Sequence, residues 1–146
     1  MTEDTPIITP RGGWHLWVVG ILSLLWNGFG CFDFTMTATR NAAYLEPYPQ
    51  EMVAYWFAMP WWIWAIWAIG VFGGLLGAIA LLMRNAWAVK LFAASMLAAA
   101  VSMAVGMTAT DAPKMEGSEI MSLIIIGIAL LQLVYAYWQS KRGVLR

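Results

Sequence analysis

Apolar positions fall into four long runs, and the charged positions collect between them. The first run extends from Trp14 to about Thr37 and is interrupted only by Asp33, near its far end. No charge occurs from Val53 to Met83, and the part predicted to span is about 58–83. A third run, Leu91 to Thr110, lies between Lys90 and Asp111; a fourth, Ile120 to Ser140, lies between Glu119 and Lys141. A helix needs about 20 apolar residues to cross a hydrocarbon core of roughly 30 Å. The pattern therefore predicts an all-α polytopic membrane protein, a bundle of four transmembrane helices at about 14–37, 58–83, 91–110 and 120–140.

The connecting pieces are short. Residues 1–13 read as a polar N-terminal arm with Pro6 and Pro10, residues 14–140 as the transmembrane domain, and residues 141–146 as a basic tail. The first run is longer than the roughly 7–15 apolar residues of a secretory leader. It follows an arm holding Glu3 and Asp4, and no A-x-A site succeeds it, so it reads as a retained signal-anchor. In the first loop, Pro47-Tyr48-Pro49 breaks the chain. Residues 50–57 then read as a helical turn or two in the interface, with Pro49 at the first helical position and Glu51 complementing the positive helix end. Pro60 is expected to kink the start of the second span. Arg84-Asn85-Ala86 reads as a tight hairpin that makes spans two and three antiparallel neighbours.

Composition sharpens this picture. Of 146 residues, 62% are apolar and 11% charged, whereas a soluble domain carries about 25% charged residues. A water-soluble globule is thereby excluded. Eight basic and eight acidic side chains balance, which removes the case for a nucleic-acid partner. Arg11, Arg84, Lys90, Lys141, Arg142 and Arg146 collect on one side of the spans, against Arg40 and Lys114 on the other. The positive-inside rule then places both termini in the cytoplasm. Tryptophan agrees: Trp14, Trp17, Trp87 and Trp138 sit at the predicted cytoplasmic ends, and Trp56, Trp61, Trp62 and Trp64 at the opposite end of span two. Indole prefers the headgroup zone.

Helix association in lipid rests on close backbone approach and a few polar contacts. Gly70, Gly74 and Gly77 form one stripe on span two, and Ala94, Ala98, Ser102 and Gly106 recur every four residues on span three. These faces are expected to meet across the hairpin; the alternative is a homodimer seam, since G-x-x-x-G also drives self-association. Asn27 and Gln132, deep in spans one and four, are expected to be interhelical hydrogen-bond partners, with a solute pathway as the other reading.

Asp33 stands out because an unpaired carboxylate inside a span is costly and a functional candidate by default. Helical spacing places Asp33, Thr37, Arg40 and Tyr44 along one face. Two readings stay open: an Asp33–Arg40 ion pair that fixes the first loop, or a proton- or substrate-responsive carboxylate at the mouth of a cavity facing the periplasm. His15, beside Trp14, reads as a solvated interfacial residue, Cys31 as packing, and the methionines as core filler. One histidine and one cysteine cannot make a multi-Cys/His metal site within one copy, and no Ser/His/Asp set and no phosphate- or dinucleotide-binding fingerprint is found. The expectation is a non-enzyme without metal or cofactor.

The stretch WHLWVVGILSLLWNGFGCFDFTMTATRNAAYL, followed by AYWFAMPWWIWAIWAIGVFGGLLG, resembles a family of small proteobacterial inner-membrane proteins that commonly carry the label "sugar transporter". The matching residues are Trp14, His15, Trp17, Asn27, Asp33, Thr37, Arg40, Asn41, Tyr44, Trp67, Gly70 and Gly73. The resemblance implies a four-helix fold in the bacterial inner membrane. It also directs interest to Asp33, Arg40 and Asn41. Two functions from different classes are expected to compete: an oligomeric carrier for a small solute such as a sugar, or an accessory or assembly subunit of a larger membrane complex. The lipid bilayer is the first partner in either case.

Overall fold

A computed structural model describes residues 13–146, and its long helices follow the apolar runs closely. They are α1 (Gly13–Ala38), α4 (Trp61–Leu82), α5 (Trp87–Thr108) and α6 (Ser118–Lys141), with the short α2 (Ala42–Leu45) and α3 (Gln50–Ala58) in the first loop. All four long helices have the length and composition to cross a membrane. The arm up to residue 12, with Arg11, lies outside the described residues.

Three boundaries differ from the sequence reading. The third helix starts at Trp87, not after Lys90, because the lysine stem lets its ammonium reach over the Trp87 ring, 4.6 Å from the centroid. Pro49 is the cap before α3 (φ −56°, ψ 136°), so the first helical residue is Gln50. Pro60 does not kink a continuous helix. It crowds the residue before it, Met59 turns extended (φ −66°, ψ 144°), and α3 and α4 become separate elements.

The helices pack in series: α1 on α4, α4 on α5, α5 on α6. What they turn inward is mainly small or polar, with Leu16, Leu81 and Phe92 as the large exceptions. The buried positions of α1 are Leu16, Gly20, Ser23, Asn27, Cys31 and Thr37; those of α6 are Ala129, Gln132, Ala136 and Gln139. Large apolar side chains such as Trp14, Leu22, Leu25, Phe29, Leu97 and Leu131 face outward. In water this arrangement would be inverted; in lipid it is the stable one, because outward leucine costs nothing and inward small residues let backbones approach.

Gly70, Gly73, Gly74 and Gly77 of α4 meet α5 and α1, but the α5 surface they meet is Leu91, Phe92, Ser95 and Ala98. A Cβ on Gly77 would lie 2.9 Å from the Phe92 ring, and one on Gly74 would overlap Asn27 Oδ1. The expected stripe on α5 is therefore corrected. Only Ala98 is buried; Ser102 is half-buried, and Ala94 and Gly106 are exposed. The four-residue spacing drifts around a 3.6-residue helix, whereas Ser95 and Ala98 keep to the contact line.

The apolar core gathers at the end that carries the start of α1, the α4–α5 hairpin and the end of α6. It comprises Leu16, Ala78, Ala80, Leu81, Ala88, Phe92, Ala136, Val144 and Leu145. The last two belong to the segment expected to be a basic tail. Gly143 (φ +72°) reverses the chain after α6, Val144 and Leu145 become 4% exposed, and Arg146 pairs with the hairpin. Arg146 N donates to Arg84 O at 2.8 Å, and Ala86 N donates to Arg146 O at 2.9 Å. At the opposite end, the outer parts of α5 and α6 are loosely packed. Positions 118–121 are all exposed, and a Cβ on Gly106 or Gly127 would meet nothing within 4 Å.

Candidate functional site

Asp33 lies in the last turns of α1, where its charge opposes the negative end of the helix. Its carboxylate is half-buried and accepts a 2.5 Å hydrogen bond from the Tyr44 hydroxyl. Local sequence builds this contact. Thr35, Thr37 and Thr39 turn their hydroxyls back onto the carbonyls of Cys31, Asp33 and Thr35, at 2.8, 2.8 and 2.7 Å. Such back-bonds compete with helix propagation. Arg40 then adopts the left-handed region (φ +56°) and ends the helix. Asn41 caps α2, its Oδ1 accepting from Tyr44 N at 3.0 Å, which points the tyrosine back at α1.

The expected Asp33–Arg40 ion pair does not form. The left-handed turn carries Arg40 off the Asp33 face, and its guanidinium lies over the Phe57 ring, 4.2 Å from the centroid. The hydrogen bond to Asp33, then burial and the carboxylate's charge, push the Tyr44 phenol above its ordinary range. The arrangement holds a carboxylate with one strong neutral donor and leaves its other lone pairs for a proton or a solute hydroxyl.

Aromatic rings surround the same end. Phe34 packs edge-on against Trp67 at 5.0 Å, and Phe57 stacks on Trp64 at 5.7 Å. A depression of about 340 Å³ beside α2 is lined by Ala42, Leu45, Glu46, Tyr48, Gln50 and Val53.

Below this site, buried polar groups continue along α1. Asn27 Nδ2 donates to Ser23 O of its own helix at 2.8 Å while Oδ1 rests against Gly74, so it is no bridge between helices. The bridges come from Ser95, which the sequence reading does not single out, and from Cys31, which it reads as packing. Ser95 Oγ donates to Gly70 O at 2.6 Å, and Cys31 Sγ to Val71 O at 3.3 Å. Gln132 is buried in α6, and among the described residues it makes no interhelical hydrogen bond.

His15 is not the solvated interfacial residue expected. It is half-buried, and its Nδ1 shares a 2.6 Å hydrogen bond with the Tyr135 hydroxyl. Gln139 Nε2 donates to the same hydroxyl at 2.8 Å, while among the described residues Gln139 Oε1 is buried without a partner. This cluster ties α1 to α6. The i, i+4 spacing of Tyr135 and Gln139 was visible in the sequence, but their partner on α1 was not.

Among the described residues, no group of three or more His, Cys, Asp or Glu is arranged to hold a metal ion. No family model matches the chain, and neither a curated protein nor a solved structure is detectably similar to it.

Proposed function

We propose that this chain is a multi-pass protein of the bacterial inner membrane, with both termini cytoplasmic, that acts as a homo-oligomeric carrier for a small polar solute of the sugar class. One observation carries the reading: the inward stripe of α1 is polar or small from Ser23 through Asn27 and Cys31 to Thr37 and ends beside the Asp33–Tyr44 pair. A solute crossing lipid needs such a line of hydrogen-bonding groups, and aromatic rings around the mouth suit the apolar faces of a sugar. Four helices scarcely enclose a path alone, which calls for a second copy. In this reading Asp33, Thr37, Arg40, Asn41 and Tyr44 form the outer mouth and no bond is made or broken.

Orientation is supported by the cations. Arg84, Lys90, Lys141, Arg142 and Arg146 lie at the end holding the C-terminus, Arg40 and Lys114 at the other. An impermeant maleimide applied to spheroplasts should label Met115→Cys and spare Arg146→Cys. Labelling of Arg146→Cys alone would reverse the assignment.

Flux is measured by uptake of radiolabelled mono- and disaccharides into proteoliposomes. Uptake that falls at least tenfold in Asp33→Asn, with the protein still folded, is the expected result. Absence of flux for every sugar tested overturns the carrier reading.

A second reading, an accessory or assembly subunit, is favoured by the outer halves of α5 and α6, where neither Gly106 nor Gly127 has a packing partner. Co-purification with a larger complex in mild detergent supports it. A clean isolated homomer counts against it.

A further inference from the structure

We infer that the clasp between the C-terminal residues and the α4–α5 hairpin is a binding site for the phosphate of an anionic phospholipid headgroup, with Arg84 and Arg146 as its cations. The inference depends on the four helices lying in a bilayer and is independent of the carrier reading.

The clasp brings the two arginines together. Arg146 N donates to Arg84 O at 2.8 Å, so their backbones are hydrogen-bonded neighbours. Val144 and Leu145, buried in the core, anchor the segment that carries Arg146. Its guanidinium is thus presented from a fixed backbone, and ordering a loose tail is no part of the binding cost. Both side chains are exposed.

Their surroundings set the sign of the ligand. Lys90, Lys141 and Arg142 at this end lie over the rings of Trp87, Tyr137 and Trp138, at 4.6, 5.4 and 4.7 Å. Among the described residues Arg84 and Arg146 have no such ring and no acidic partner. The acids among the described residues, Asp33, Glu46, Glu51, Asp111, Glu116 and Glu119, all belong to the opposite end of the helices or its loops. Two exposed arginines on hydrogen-bonded backbones, with no acidic side chain paired to either among the described residues, suit a phosphate, whose oxygens accept N–H donors.

Depth then selects a lipid over a soluble phosphate. Trp87 and Trp138 are exposed at this end, and exposed indoles settle at the headgroup level. The hairpin that bears Arg84 runs directly into Trp87. The arginines therefore stand where headgroup phosphates are concentrated, and each adds about fivefold to the affinity for an anionic surface.

The test uses the full chain in nonionic micelles, titrated with brominated dioleoylphosphatidylglycerol or brominated dioleoylphosphatidylcholine while tryptophan emission is quenched. Phosphatidylglycerol should bind at least tenfold more tightly. Arg84→Gln with Arg146→Gln should remove most of that preference, and the corresponding double lysine variant should keep most of it. Arg40→Gln with Lys114→Gln, at the other end, should leave it unchanged. Equal affinity for the two lipids, or an equal loss in the control variant, overturns the proposal. Displacement of the lipid by millimolar glycerol phosphate overturns the lipid assignment in favour of a soluble phosphate. Arg146→Gln alone keeps both backbone bonds of the clasp, so the fold is preserved, and it must still weaken phosphatidylglycerol binding by about fivefold; no change there also refutes the site.

Discussion

The Tyr44 hydroxyl reaches Asp33 Oδ1 across 2.5 Å, and this one bond fastens α2 to the end of α1. Without it the carboxylate would face the negative end of its own helix with no donor among the described residues. The pair makes an acid at the end of α1 tolerable and holds α2 against it.

Tyr44→Phe should therefore destabilise the protein by about 1 kcal/mol, the net worth of a partly solvated hydrogen bond. Cys31 is the only cysteine and is buried, so a thiol-reactive dye reports unfolding in detergent. The effect depends on pH in a defined direction. The Tyr44 phenol is held above its ordinary value of 10.0, first by the bond to Asp33, then by burial and by the carboxylate's charge. The fold favours the protonated form, so its contribution is complete below about pH 10 and is lost as pH rises beyond that value. The melting temperature of the native chain should fall faster between pH 9 and pH 11 than that of Tyr44→Phe. Parallel slopes would show that the bond is not made.

Asn27 and Gly74 are expected to behave as one unit. A Cβ on Gly74 would overlap Asn27 Oδ1 and lie 3.1 Å from Ser95 Oγ. Overpacking of this kind costs about 1–3 kcal/mol. Gly74→Ala should lower stability by that amount, and Asn27→Ala in the same chain should recover at least half of it. Strict additivity of the two changes would place the contact elsewhere. Gly74→Ile should abolish folding outright, because the contact is within one chain. If Gly74→Ile leaves a folded monomer and only loses an oligomer, the intramolecular packing is wrong.

The four spans were legible because each is a charge-free run of membrane length, and lipid imposes that requirement residue by residue. The Asp33 region was legible as a neighbourhood but not as a set of partners. Helical spacing grouped Asp33, Thr37, Arg40 and Tyr44 on one continued face, yet α1 stops at Ala38 and the left-handed Arg40 turns the chain. Tyr44 then arrives from α2 rather than from the same helix, and Arg40 is diverted to Phe57. The His15 cluster and the C-terminal clasp could not be read at all. Both join residues more than fifty positions apart, the cluster through side chains and the clasp through backbone groups, with no local pattern to mark either, and "basic tail" described the charge of residues 141–146 while missing Val144 and Leu145.

Within the His15 cluster the three members should differ in cost. Tyr135 supplies the hydroxyl that His15 Nδ1 and Gln139 Nε2 both use. Tyr135→Phe removes the shared hydroxyl, leaves His15 Nδ1 and Gln139 Nε2 only their 3.4 Å contact with each other, and should cost about 1–3 kcal/mol. Among the described residues Gln139 already has a buried oxygen with no partner, so Gln139→Met removes that penalty together with the bond to Tyr135 and the longer contact to His15, and should stay within about 1 kcal/mol of the native chain. A loss in Gln139→Met larger than in Tyr135→Phe would mean that the amide, not the phenol, is the centre of the tie.

Glycine substitutions separate backbone strain from packing at the two ends of the bundle. A Cβ on Gly143 or on Gly106 meets nothing within 4 Å, so neither change crowds a neighbour. Gly143 turns the chain into the clasp with φ +72°, where an L side chain is strained, whereas Gly106 lies inside α5. Gly143→Ala should cost about 1 kcal/mol through that strain and loosen the clasp. Gly106→Ala should stabilise by about 0.5–1 kcal/mol through helix propensity, provided that no second copy packs against it. The same atom added at two open positions thus has opposite signs. A destabilised Gly106→Ala, accompanied by loss of an oligomer on native gels, would place the seam between copies on the outer half of α5.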